Sequence, residues 1–308
     1  MSQQVIVTTK EQIQEMKKYY IPQLTSTPQG AIFRAKTNNA VITAYQSGKV
    51  LFQGSAPESE AMKWADITVK DKKKQALDQK QSYSPHAGLF TDNHIGSDEA
   101  GTGDYFGPIT VAALFATKEQ QVKLKQIGVR DSKHLNDTKI KQIAKEIVQL
   151  QIPYTLLLLP NEKYNKLQAK GWTQGKMKAM LHHHAIDKLL QKIDVNSLKG
   201  IVIDQFCQPP VYKKYLQSEK KTLHPNTTFI TKAESHSVSV AAASILARSR
   251  FVKAMDELSE DAKIELPKGA SAKVDQTAAR IMRSKGFEAL DKYAKTHFAN
   301  TQKAQKLL

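Results

Sequence analysis

Ile95-Gly96-Ser97-Asp98-Glu99-Ala100-Gly101-Thr102-Gly103-Asp104 passes from an apolar strand to two adjacent acids and then to a glycine-rich turn. Two later stretches repeat its first half. Gly200-Ile201-Val202-Ile203 leads into Asp204, and Phe229-Ile230-Thr231-Lys232-Ala233 leads into Glu234. Short apolar runs bounded by turn residues read as buried strands. In open α/β sheets, ligand crevices form beyond the carboxyl ends of strands. Acids at three strand ends can therefore converge on one point.

Clustered carboxylates repel one another unless their pKa values rise or cations neutralise them. An all-oxygen ligand set selects hard ions, Mg²⁺ or Mn²⁺. Two such ions about 4 Å apart can hydrolyse a phosphodiester, one activating water and the other stabilising the leaving oxygen. A single acid after a strand is an ordinary surface feature. Three such places in a strongly basic chain point towards nucleic-acid chemistry.

Around these stretches strands and helices alternate. Strands are expected at 94–97, 109–116, 154–159, 200–203 and 228–231. Helices are expected at 136–150, 161–169, 173–193, 236–258, 275–284 and 287–306. The pattern is that of an α/β domain, 94–308, with a helical C-terminal part. Upstream, 1–66 reads as a small α+β unit in the order β-α-β-β-β-α. Val5-Ile6-Val7 is a short strand, and Thr8 and Glu11 have capping-box spacing before a helix to about Tyr20. Stretches 31–36, 40–46 and 49–53 alternate in strand fashion, and a helix from about Ser55 ends near Trp64.

The alternation puts Ala31, Phe33, Ala35, Ile42, Ala44, Val50 and Phe52 on one face, against the helices. Arg34, Lys36, Thr43, Tyr45, Lys49 and Gln53 occupy the other. That face is either a solvated surface or a platform for a nucleic-acid backbone. Residues 67–93, with Lys70, Lys72, Lys73, Lys74 and Lys80, read as a basic linker.

The 308 residues carry 46 Lys+Arg against 29 Asp+Glu, a formal charge of +17. This favours a polyanionic partner. A membrane is a poor candidate for that partner: no stretch approaches the ~20 apolar residues that span a bilayer, and residues 1–10 lack the form of a signal peptide. One cysteine, Cys207, excludes an internal disulfide and fits the cytoplasm. It reads as a packed or loop thiol, since no Cys/His signature surrounds it. The consecutive His182, His183 and His184 point in different directions on a helix and cannot share one metal; they read as a solvated face.

Asp98 to Pro108 resembles the signature of the type 2 ribonucleases H, in the ribonuclease HIII form. Asp131-Ser132-Lys133 with Leu135, Gly200 to Asp204, and Lys232-Ala233-Glu234 with Ser239 to Arg248 resemble the later motifs in order. The N-terminal unit resembles the single TATA-box-binding-protein-like half that precedes the catalytic domain in ribonuclease HIII. The resemblance implies an RNase H-like fold and a metal-binding catalytic set of Asp98, Glu99, Asp204 and Glu234 that holds two Mg²⁺ or Mn²⁺ ions. The substrate it implies is an RNA–DNA hybrid, cut in the RNA strand; the chain is expected to act as a monomer. Gly101, Thr102 and Gly103 are then candidates for the RNA 2′-hydroxyls, or form a purely structural turn. Ser132 and Lys133 are candidates for phosphate, and Arg34, Lys36 and Tyr45 for substrate on the N-terminal unit. Thr102, where ribonuclease HII typically has arginine, and Glu234, where it usually has aspartate, argue against cleavage at single embedded ribonucleotides.

Overall fold

A computed structural model describes residues 2–28, 30–65, 88–130 and 135–308. The chain divides into two compact units, Met1–Ser82 and Tyr83–Leu308. Ser132 and Lys133, like most of the expected linker, lie outside the described residues.

In the first unit, β1 (Ser2–Val7), α1 (Lys10–Tyr19), β2 (Leu24–Thr25), β3 (Ala31–Lys36), β4 (Ala40–Tyr45), β5 (Lys49–Gly54) and α2 (Pro57–Ala65) follow in order. The antiparallel sheet runs β1-β5-β4-β3-β2. Sequence reading missed β2, a two-residue edge strand after Pro22 that is too short to show a period. α1 starts where Thr9 accepts from the Gln12 amide; the N-cap is Thr9 rather than Thr8. Phe33, Ala35, Ile42, Ala44, Val50 and Phe52 are buried with Ile13 and Met16 of α1, as the alternation requires. Trp64 packs there too, and its Nε1 donates to the Tyr20 hydroxyl at 2.9 Å.

The second unit is built on β6 (His94–Ala100), β7 (Ile109–Ala116), β8 (Tyr154–Leu159), β9 (Gly200–Asp204) and β10 (Thr227–Ile230), in the order β10-β9-β6-β7-β8. β9 is parallel to both its neighbours, whereas β6, β7 and β8 pair antiparallel. The helices are α3 (Lys118–Gln126), α4 (Asp137–Gln149), α5 (Asn161–Ala169), α6 (Gln174–Leu190), α7 (Pro209–Ser218), α8 (Val238–Ala262), α9 (Ala272–Lys285), α10 (Leu290–Tyr293) and α11 (Ala299–Gln305). All of β7 is buried because both faces of the sheet are covered. Val111, Ala113 and Phe115 meet α6 and α7; Ala112, Leu114 and Ala116 meet α4 and α8.

Close approach is fixed at one point. A Cβ on Gly96 would lie 2.2 Å from the Val240 amide nitrogen and 2.3 Å from the Ser239 carbonyl carbon, so glycine lets the start of α8 rest directly on β6. His94 ties the same seam: its Nε2 meets Ser237, the N-cap of α8, at 2.7 Å. The C-terminal stretch 287–306 is not one helix. Ala294 leaves the helical path to bridge Phe106, a tertiary contact that no local breaker announces.

Candidate active site

Asp98 and Glu99 lie inside β6, opposite Ala112 and Val111, rather than just beyond it. Asp204 is the last residue of β9, and Glu234 sits in the 3-10 turn after β10. Ser97 pairs with Ile203, and Asp204 with Ile230, so the acids gather at one end of the adjacent strands β6, β9 and β10. The Ala233 amide donates to Asp204 Oδ1 at 2.7 Å, which locks the turn that presents Glu234. Ser244 of α8 donates to Glu234 Oε2 at 3.3 Å and also hydrogen-bonds Asp98.

The cost of this convergence falls on Asp98. Burial first, then the charges of Glu99 and Asp204, push its carboxyl well above the usual carboxylate range. Glu99 goes the other way. Burial alone would raise it, but the His182 hydrogen bond and then Lys178 hold it below its ordinary value. Lys178 and His182 are one turn apart on α6 and grip the two oxygens separately. Lys178 Nζ donates to Oε1 at 2.8 Å, and His182 Nε2 to Oε2 at 2.9 Å. The other His182 nitrogen meets the Ser97 hydroxyl at 2.7 Å, and the ring stacks on Phe206 at 5.4 Å. His182 and His183 are thus buried, and the expectation of a solvated histidine face is corrected. The signal was the phase of Met177, Met180, Ile186 and Leu189, which turns residues 182 and 183 inward.

The glycine-rich loop is held from beneath. Gly101 has φ +86°, and a Cβ there would strike the Pro108 carbonyl oxygen at 2.2 Å and the Phe251 ring at 2.7 Å. Fully buried Lys295 donates to the carbonyls of Asp104 and Gly107 at 2.7 and 2.6 Å; burial pushes its amine down to about 7. Gly101 is therefore required by close contact with its own domain, whereas Gly103 is exposed with open space around it. Arg34, Lys36 and Tyr45 share the face of the first unit's sheet away from its helices, by the register Arg34↔Thr43 and the strand alternation. Val5 and Val7 lie on that face as well, about half exposed, so it is apolar as well as basic.

Four carboxylates with no cysteine, one of them driven up by its neighbours, fit hard divalent cations. A family model described as Ribonuclease HII matches residues 95–301. The Ribonuclease HIII of Oceanobacillus iheyensis is 90% identical over all of both chains, and that of Bacillus pumilus 48% over all of both.

The chain belongs to the ribonuclease HIII family.

A crystal structure of Bst-RNase HIII in complex with Mn²⁺ superposes with a TM-score of 0.69 at 42% identity, covering 99% of each chain. The RNase H-like fold expected from the motifs is thus the family's fold. A second model, described as a domain of unknown function, matches residues 3–77. No helix among the described residues is long and apolar enough to cross a membrane.

Proposed function

We propose that the chain hydrolyses the RNA strand of RNA–DNA hybrids at Asp98, Glu99, Asp204 and Glu234, leaving 5′-phosphate and 3′-hydroxyl ends, as a monomer in the cytoplasm. The observation that carries this reading is the gathering of the four acids at one end of β6, β9 and β10, at the price of an Asp98 carboxyl that burial and its neighbours push well above the usual carboxylate range. These residues would hold two Mg²⁺ or Mn²⁺ ions, which supply activation of water and stabilisation of the leaving oxygen. The chain's own part is orientation. Lys178 and His182 keep Glu99 charged and fixed, and Ser244 spaces Asp98 from Glu234. The exposed backbone at Gly103, beside half-buried Thr102 whose carbonyl Gln174 holds, would face the RNA 2′-hydroxyls, the groups that separate RNA from DNA.

The test is cleavage of a labelled RNA–DNA hybrid beside double-stranded RNA, double-stranded DNA and a duplex with one ribonucleotide, in Mg²⁺ and in Mn²⁺. Cutting of the hybrid alone, at several RNA positions, is expected. Cutting at the lone ribonucleotide would move the reading to a junction enzyme, and no cutting with either ion would overturn it.

Two further expectations arise here. His182→Ala lowers activity about 10–100-fold and raises the Mn²⁺ concentration needed for half-maximal rate, the usual effect of losing a group that orients a ligand. His182→Gln keeps a donor and recovers part of it. An unchanged metal requirement in both variants removes His182 from the positioning role. On the first unit, the triple change Arg34→Ala, Lys36→Ala and Tyr45→Ala raises KM for hybrid about tenfold with kcat within about twofold. The salt slope of binding then falls by about two, one per lost cation. An unchanged KM leaves that sheet face without a role in binding.

A further inference from the structure

Away from the acids, α6 carries a second group of convergent ligand-type side chains. His183 and Asp187 are one helical turn apart, and His224, between α7 and β10, closes on them from outside the helix. His183 Nε2 lies 3.4 Å from Asp187 Oδ2, and His224 Nε2 lies 3.2 Å from Asp187 Oδ1. The two rings face each other with centroids 4.8 Å apart. One donor atom from each residue lies within 4.8 Å of the other two.

Two features ask for a ligand. His224 Nε2 is buried without a hydrogen-bond partner despite its approach to Asp187, and His183, only 4% exposed, turns its Nε2 to the same carboxylate. A buried nitrogen left unsatisfied is unfavourable, and a ligand at His224 Nε2 would satisfy it. The second feature is the state of the ligands. Burial, against the pull of Asp187, pushes the His183 imidazole down to about 4, so near neutrality the ring is uncharged with a free lone pair, the form a metal takes. Lys221 adds positive charge nearby but stands at the surface, where it is screened. The two imidazoles approach different oxygens of Asp187, at 3.4 and 3.2 Å, and with one donor atom of each residue within 4.8 Å of the other two, small side-chain shifts bring all three to one ion at bonds of about 2.0–2.1 Å. Two imidazoles and one carboxylate suit Zn²⁺, Co²⁺ or Ni²⁺ and are a poor set for Mg²⁺.

We propose that His183, Asp187 and His224 bind one transition-metal ion of the Zn²⁺ class, at a site separate from the four acids, and that this ion staples the His224 segment to α6. The helix so braced is the one that carries Lys178 and His182 to Glu99. The ion acts on the stability of that helix's surroundings and takes no part in hydrolysis.

Full-length protein is titrated with Co²⁺ and with Zn²⁺ in a large excess of Mg²⁺, which competes at the acids. Co²⁺ is read by its visible absorption, Zn²⁺ by calorimetry and by the shift in Tm. One equivalent is expected in the wild type and in Asp204→Asn. Binding at least about tenfold weaker, with no Tm gain from Zn²⁺, is expected in His224→Gln and Asp187→Asn. The metal-free Tm of each variant checks that it folds. Wild-type binding in both of those variants, binding lost only in Asp204→Asn, or no Zn²⁺ bound in excess Mg²⁺ would each overturn the proposal.

Discussion

Asp204→Asn gives a folded protein that still binds hybrid but turns over at least ~10³-fold more slowly, a loss of about 4 kcal/mol in transition-state stabilisation. Asparagine keeps the shape of the side chain and can still accept from the Ala233 amide through Oδ1. The turn that presents Glu234 is therefore preserved, and only the charge is removed. Asp98→Asn is expected to behave alike, since Asp98 stands beside Asp204 and shares Ser244 with Glu234. Both variants should melt no lower than the wild type. For Asp98 the relief of repulsion can raise Tm, because the carboxyl is buried among like charges. Single-turnover cleavage and hybrid affinity, measured side by side, decide the matter. Wild-type turnover in either variant would remove that acid from the site.

The second large effect concerns stability. Gly96→Ala is expected to cost at least about 3 kcal/mol, at the upper end of overpacking penalties, because what the new methyl meets is helix backbone rather than a side chain that can swing away. For a unit of this size that corresponds to a Tm lower by about 6–12 °C. Activity should fall as well, since α8 carries Ser244 and rests on the strand that holds Asp98 and Glu99. Gly103→Ala is the control for stability alone: a Cβ there meets nothing within 4 Å and φ is not left-handed. A Gly96→Ala protein with wild-type Tm would show that the seam between β6 and α8 has slack that its close contact denies.

The acids were legible because each ends or follows a short apolar run, a signal carried by a few adjacent residues. Their exact place was less so: Asp98 and Glu99 continue the ladder with β7, and an acid in a strand has no local mark distinguishing it from one just after. The alternation of the first unit was read correctly for Phe33, Ala35, Ile42, Ala44, Val50 and Phe52, since a period of two needs no tertiary information. The same reading passed over Val5 and Val7 on the open face, and over the brief β2. His182 escaped because three consecutive polar rings look like surface, whereas the decisive partners, Ser97 and Glu99, are some eighty positions away. The break at Ala294 has the same origin, a bridge to Phe106 on a distant loop. α3 was missed for want of a strong apolar period, and α7, which opens on Pro209-Pro210, was missed although its apolar period is stronger.

The parallel pairing of His94 with Gly200 closes a loop of roughly a hundred residues. Contacts of such sequence separation form late, because the entropy of closure must be met before they contribute. During synthesis, at about 5–20 residues per second, Asp98 and Glu99 leave the ribosome about 5–20 s before Asp204 and about 7–27 s before Glu234. For that interval the nascent chain carries Asp98 and Glu99, paired at most with β7, and lacks the parallel strand β9 that sets Asp204 beside them. If the four acids form the catalytic set, as proposed, hydrolytic competence arrives in a single late step, after the first unit has had time to fold.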